Sequence, residues 1–220
     1  MFSVKVEYEV EVRDKDGRLL KREKGESRSL LKNFTKFLRA MMKGVVNEDK
    51  DIPTDPYTGD ATETVKDTSG ADVTIWGGAR LGGSDGGGWP LTINAPDDED
   101  TYGIVVGKGD MPVTAEDYAL DDQIPHGTAS GQLDYGTHTF EDVVVEDKVS
   151  KFRISRGFTN LSGANVTVKE IGIVVWNYFR DYGGVKRNVK VLIVRDVLAT
   201  PTTIPDGASL NVRYTFSVEA

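Results

Sequence analysis

Three groups of residues have types and spacing suited to chemistry. The first is G-K-G at Gly107–Gly109, inside the central stretch Thr101–Gly127. A phosphate-cradling P-loop needs G-x-x-x-x-G-K-[ST] running into a helix, so that backbone N–H groups face the phosphates. Here Gly109 follows Lys108, with Asp110 and Pro112 just beyond, and neither a third glycine nor a βαβ frame supports a dinucleotide fingerprint. The second group is the pair His126 and His138, twelve residues apart. A zinc site there would draw on Asp134 or Glu141, but compact spacing such as H-E-x-x-H is absent. His126, in P-H-G, reads instead as a turn residue that hydrogen-bonds the backbone. The third group is acidic. D-K-D-G at Asp14–Gly17 resembles the start of a calcium loop, yet Gly25 stands where the bidentate Glu belongs. N-A-P-D-D-E-D at Asn94–Asp100 suits either a hard cation or a solvated loop. A G-x-S-x-G nucleophile elbow is missing, and scattered carboxylates in so acidic a chain select no pair. No catalytic, cofactor-binding or metal-binding residue is assigned, and the expectation is a protein that is not an enzyme and holds no cofactor.

Composition narrows the class. The chain has 220 residues, net charge −8 and no cysteine, which removes disulfides and thiolate metal sites and any broad electrostatic footprint for nucleic acid. No apolar run approaches the ~18 residues of a membrane span, and Met1–Val12 alternates apolar with charged residues, unlike a secretory signal. The reading is a chain made and folded in the cytoplasm. Charged residues reach 28% and Gln123 and Gln132 are the only glutamines, a composition seen in thermostable proteins.

The elements that must position these residues are mostly strands. Val4, Val6, Tyr8, Val10 and Val12 alternate with charged residues, so a half-buried strand is expected, followed by a turn at Asp14–Gly17 and a polar edge strand over Arg18–Lys24. Leu30, Leu31, Phe34, Phe37, Leu38, Met41 and Met42 recur at helical spacing, with Lys32, Lys36, Arg39 and Lys43 on another face, Ser27 or Ser29 as cap and Gly44 as stop. The loop at 47–60 and K-D-T-S-G at Lys66–Gly70, a turn between short extended pieces, come next. The glycine-rich segment from Trp76 to Pro90 carries Leu81 and Trp89 as well; neither helix nor strand can persist through so many glycines. In the central stretch a strand over Tyr102–Val106 is expected to turn sharply at its glycines into a helical turn, Ala115–Leu120, capped by Thr114. Later strands are read at Gln132–Phe140, Val143–Val145, Phe152–Phe158, Val166–Trp176 and Val189–Leu198, with a reversal at Tyr182–Gly184 and loops at Pro201 and Pro205-Asp206-Gly207. The chain closes on a second alternating strand, Leu210–Val218, and pairing with the first would tie the ends together. Short strands separated by Gly/Pro turns indicate a mainly β chain. The expected architecture is one antiparallel β-sandwich, jelly-roll-like, over 1–220. It has an N-terminal hairpin (1–25), one amphipathic helix (28–43) and a Gly/Trp-rich loop insertion (76–90).

The width of the helix stripe suggests that part of it packs on a neighbouring subunit. The residues read as an interface are Leu30, Leu31, Phe34, Phe37, Leu38 and Met41 on the helix, with Trp76, Leu81 and Trp89 on the glycine-rich loop.

With these residues laid out, the chain resembles a widespread family of structural proteins of tailed bacterial and archaeal viruses. The resemblance rests on S-R-S-L-L-K-N-F (Ser27–Phe34), K-D-T-S-G, Y-G-I-V-V-G-K-G-D (Tyr102–Asp110), D-Y-A-L (Asp117–Leu120), H-G (His126, Gly127) and Q-L-D-Y-G (Gln132–Gly136). It continues through F-R-I-S-R-G-F-T-N (Phe152–Asn160), V-K-E-I-G (Val168–Gly172), R-D-V (Arg195–Val197) and P-D-G-A-S-L (Pro205–Leu210). The Trp76–Pro90 segment looks like an insertion relative to that pattern. The resemblance implies a place in the virion, as tail, neck or capsid decoration, with contacts to copies of itself and to other virion proteins, and with the host surface as a further contact. Neither membrane nor nucleic acid is expected as a partner, from the missing apolar span and the acidic net charge. The alternative is a β-sandwich receptor or glycan-binding adhesin that uses the Trp-bearing loop.

Overall fold

The alternation at the start of the chain becomes the central axis of the fold. The computed structural model describes residues 3–27, 30–43, 62–76, 89–180 and 186–219. Strand β1 (Ser3–Arg13) turns Val6, Tyr8, Val10 and Val12 to one face, and all four are buried, as the two-residue period of a strand requires. At the following turn the Asp14 carboxylate accepts the N–H groups of Asp16 (3.0 Å) and Arg18 (2.8 Å), and Gly17 supplies φ +80°. The chain then returns as the edge strand β2 (Leu19–Ser27). The last strand, β12 (Ser209–Glu219), pairs with β1 over its whole length, from Ser3 opposite Glu219 to Arg13 opposite Ser209. The two ends are tied together as the matching alternation suggests.

Between them lie α1 (Lys32–Lys43), β3 (Thr62–Lys66), β4 (Asp72–Trp76), β5 (Trp89–Thr92), β6 (Gly103–Gly107), β7 (Asp134–Phe140), β8 (Val144–Glu146), β9 (Val149–Thr159), β10 (Val166–Arg180) and β11 (Lys186–Ile204). One sheet has six strands in the order β2-β1-β12-β9-β7, with β8 also on β9. A second has four, β11-β10-β5, with β6 also on β10; β3 and β4 form a separate hairpin. All the strand pairs are antiparallel. One apolar cluster joins the two larger sheets, with Val10, Val212, Tyr214 and Phe158 from the first and Ile104, Ile173, Val191 and Val194 from the second. The protein is an antiparallel β-sandwich.

The chain crosses between sheets at β9→β10 and β11→β12, and one asparagine ties both crossings. Asn160 Nδ2 donates to the carbonyls of Ala164 and Ile204 (both 2.7 Å), while Gly207 N–H donates to the Asn160 carbonyl (2.7 Å). The P-D-G turn is held in place, not merely permitted.

Some boundaries differ from the sequence reading. The helix begins at Lys32, four residues later than expected, because Leu30 bridges to Val194 and Leu31 N–H donates to the Ile193 carbonyl (3.0 Å). The backbone there covers the edge of β11 first, and Ser27 belongs to β2. The expected helical turn over Ala115–Leu120 does not form. The Asp117 carboxylate accepts from both the N–H (3.1 Å) and Oγ1 (2.6 Å) of Thr114 and is also gripped by Arg195 (2.7 Å), so the chain closes a tight turn there. Strand β11 runs on through Pro201 to Ile204, since an edge strand tolerates a residue without N–H and Lys21 Nζ ties down the Thr200 and Pro201 carbonyls (3.0 and 3.2 Å). The expected cap at Ser29, the stop at Gly44, the loop at 47–60, Leu81 and the reversal at 182–184 lie outside the described residues.

Burial in the six-stranded sheet falls off along its strands. On the core-facing side Leu210, Val212 and Tyr214 are fully covered, Phe216 is half-buried and Val218 is 37% exposed. The same decline runs along β1, from buried Val6 to Val4 at 50%, and along β9, from buried Ile154 to Phe152 at 38%. The apolar alternation therefore continues about two rows beyond the cover that the rest of the described chain provides.

Candidate functional site

The central stretch is assembled around a buried carboxylate. Glu170, on β10, has no solvent exposure. Its two oxygens accept the N–H groups of Gly109 (3.1 Å), Asp122 (2.8 Å) and Asp121 (3.1 Å), and the guanidinium of Arg195 on β11 completes the set (Nε, 2.9 Å). The same guanidinium reaches Asp117 (2.7 Å) and the Met111 carbonyl (3.1 Å). Burial by itself would lower the pKa of Arg195, but its hydrogen bonds to Asp117 and Glu170 outweigh that and raise it. Burial likewise pushes the Asp117 carboxyl up, and Thr114 and Arg195 bring it below its ordinary value.

This geometry gives the G-K-G glycines a reason different from the one read in the sequence. Neither Gly107 nor Gly109 has positive φ. A Cβ on Gly107 would stand 2.5 Å from a Glu170 oxygen and 2.7 Å from the Asp122 carbonyl; on Gly109 it would meet the Asp121 Cβ at 2.4 Å. The glycines make room for the carboxylate and the returning strand. Lys108 extends outward to Asp122 (3.5 Å) with more than half of its side chain exposed. The backbone N–H groups that would cradle a phosphate are given to Glu170 and Asp122 instead.

The histidines are spent in the same manner. His138, on β7, accepts the Ile104 N–H at Nε2 (2.8 Å) and faces the Ala95 carbonyl with Nδ1 (3.2 Å), so the proton resides on Nδ1. Burial, and then the nearby Arg156, lower its pKa to about 4. His126, Asp98 and Asp134 come within 4.8 Å of one another, which joins the acidic loop to one histidine as a metal site would. The hydrogen bonds run against ligation, however. Tyr135 N–H donates to His126 Nδ1 (3.2 Å), which leaves the ring proton on Nε2, 3.5 Å from Asp98. A cation at either nitrogen would displace one of these contacts, and the Asp100 carboxylate also holds the His126 N–H (2.7 Å). His126 hydrogen-bonds the backbone, as P-H-G suggests.

Arg156 is the largest side chain with under 2% exposure among the described residues. It lies between Ile154 and Phe158 on the inward face of β9 and donates to five carbonyls: Gly136 (2.7 Å), Ile104 (3.1 Å), Tyr102 (3.4 Å), Pro96 (3.1 Å) and Glu99 (2.6 Å). It also stacks its guanidinium 4.8 Å from the Tyr135 ring centre. Sequence reasoning passed over Arg156, Glu170 and Arg195 as sites. The signal for Arg156 was available in a cation at the core position of the alternating run Ile154, Arg156, Phe158.

The residues read as an interface divide. Leu31 and Phe37 are buried and Leu30 and Phe34 are half-buried against the core, so these four serve the fold. Asn33, also buried, pins the helix to the Lys66 and Leu192 carbonyls (both 3.2 Å). Leu38 and Met41 face outward, joined by Met42 at 79% exposure. The side chains of Trp76 and Trp89 lie outside the described residues, as does Leu81. A cleft of about 360 Å³ opens between the start of the helix and the Asp117 turn, walled by Leu30, Leu31, Val113 and Val197, with Tyr8 and Asp196 at its polar side. Asp196 is already engaged by the Tyr214 hydroxyl (3.3 Å). Among the described residues, the buried side-chain polar atoms left without a hydrogen-bond partner are Ser27 Oγ and Arg213 Nε, the latter 3.8 Å from the Glu141 carboxylate.

Comparison with protein-family models, with curated proteins and with solved structures returned no match in any of the three.

Proposed function

We propose that this chain is a non-enzymatic structural protein of a tailed-virus particle, placed in the tail, neck or capsid decoration and assembling through contacts with copies of itself and with neighbouring virion proteins. One observation carries the reading from the structural side. Buried polar groups brace the backbone, while large apolar side chains remain uncovered on the described surface at the helix (Leu38, Met41, Met42) and at the open end of the six-stranded sheet (Val4, Phe140, Val145, Val218). Contiguous exposed apolar surface marks interaction sites. The motif resemblance supplies the particle as the setting, with synthesis in the host cytoplasm and residence in the virion.

The test is to purify particles and determine whether the protein is present at a fixed copy number. A handful of copies fits a neck or tail tip, and hundreds fit a shell or tube. Absence from particles, together with a purified protein that stays monomeric at high concentration, would overturn the proposal.

A further inference from the structure

Residues 93–103 join β5 to β6, and two side chains of the opposite sheet hold them. Arg156 on β9 donates to the Pro96, Glu99 and Tyr102 carbonyls. His138 on β7 grips both ends of the segment at once. Its Nδ1 proton faces the Ala95 carbonyl near the start (3.2 Å), and its Nε2 accepts the Ile104 N–H just past the end (2.8 Å). The ring is packed on Gly103, which has φ +89° and where a Cβ would stand 2.4 Å from the His138 Cε1. Strand register puts His138 directly opposite Arg156. The charges around the ring come from two elements. Arg156 faces it from β9, while Glu99, Asp100 and Asp97 on the segment itself act on Arg156, supporting a charge that burial opposes. Strand β6 contributes no ionisable side chain over Gly103–Gly107.

This grip works in one protonation state. An imidazolium carries a proton on both nitrogens, so Nε2 would point a donor at the Ile104 N–H. It would also set a cation opposite the buried Arg156, and like charges directly opposite across a sheet destabilise the pair. The conflict is relieved when the ring leaves, and both ends of the segment then lose their hold together. We infer that His138 is an acid-sensitive clasp: its protonation expels the ring and lets residues 93–103 open away from β7 and β9 while the rest of the sandwich stays folded. Burial, and then Arg156, lower the pKa of the ring to about 4, so the clasp is closed at neutral pH. The Asp100 contacts to Gln123 (2.6 Å) and to the His126 N–H (2.7 Å) part with the segment. Opening uncovers Arg156 and the Tyr135 and Phe158 rings beside it, which pack 4.7 Å apart. The pairing of β1 with β12 and the brackets at Asn160 and Glu170 do not involve His138, so the opening is local. The clasp is independent of the assembly reading proposed above.

The test is hydrogen exchange of the full chain, read by mass spectrometry at pH 7 and pH 4.5 and corrected for the intrinsic exchange rate at each pH. In the wild type, protection over residues 93–104 is expected to fall about tenfold or more at the lower pH, while β1 and β12 keep theirs. His138→Gln offers an acceptor and a donor without titrating in this range, and should protect the segment equally at both pH values. His138→Ala lacks the acceptor altogether and should leave the segment unprotected even at pH 7. Should the alanine variant not fold, the comparison of wild type with His138→Gln decides alone. Equal protection of the wild-type segment at both pH values would overturn the clasp. So would a loss that His138→Gln shares, or one that appears to the same extent in β1 and β12.

Discussion

Two regions of the same sandwich use their side chains in opposite ways. At the Glu170 junction a buried carboxylate, a buried guanidinium and three backbone N–H groups converge, so two charged side chains are used to hold a loop. At the far end of the six-stranded sheet the residues are chemically inert, yet Val4, Val145 and Val218 lack cover from the described chain. Residue types that suggest catalysis are committed to structure here, while valine, leucine and methionine are the groups left for partners. A buried polar network is costly when incomplete, so each member is bound to its place. An exposed apolar group makes no such demand and remains available.

The contrast predicts an order of effects. Glu170→Ala should cost the most, about 3–5 kcal/mol, because it removes the fully buried one of the two carboxylates on Arg195 and strips the Gly109, Asp121 and Asp122 N–H groups of their acceptor. Urea unfolding measures this, and a second change, Arg195→Met, should recover part of the loss, since apolar replacement of both partners is tolerated better than removal of one. Arg156→Met comes next at about 2–4 kcal/mol, from five carbonyls that lose their donor together. The third effect depends on pH. The folded chain lowers His138 from 6.5 to about 4, so between those values the unfolded chain binds a proton that the folded one refuses. Stability present above pH 6.5 should therefore fall as pH drops toward 4, by roughly 2–3 kcal/mol at most. His138→Gln should flatten that slope in a denaturation series over pH 4–7. At the open end, Val145→Thr and Met42→Gln should alter monomer stability by less than about 0.5 kcal/mol while weakening self-association. A large stability loss at the open end, or a small one at Glu170, would break the comparison.

Much of the fold was legible because period-two alternation is a local signal. Val4–Val12 and Leu210–Val218 announced both strands, their buried faces and even their mutual pairing. D-K-D-G marked a turn and P-D-G a loop, and both Gly17 and Gly207 have positive φ there (80° and 75°). The helix start was less legible, since a tertiary contact decided it: Leu30 and Leu31 pair with β11 before the helix can begin. The helical turn at Ala115 failed for a similar reason, as Asp117 is claimed by Arg195, 78 residues away. The bracket around Glu170 was the least legible. Its members come from Gly109, Asp121, Asp122, Glu170 and Arg195, and no local pattern links a carboxylate on one strand to N–H groups of a distant loop. The division of the helix into core and surface was half legible: the stripe was visible, but which of its sides met the sheet depended on Asn33 and Phe37.

The full-length pairing of β1 with β12 has a practical consequence for experiments on assembly. Because Ser3 lies opposite Glu219, an affinity tag or fluorescent protein fused before β1 or after β12 would leave the domain beside Val4 and Val218. Either fusion would crowd the open sheet end and could mimic a loss-of-assembly variant. The turn at Asp14–Gly17 is at the opposite end of the same strands, so a label inserted there would leave that surface clear.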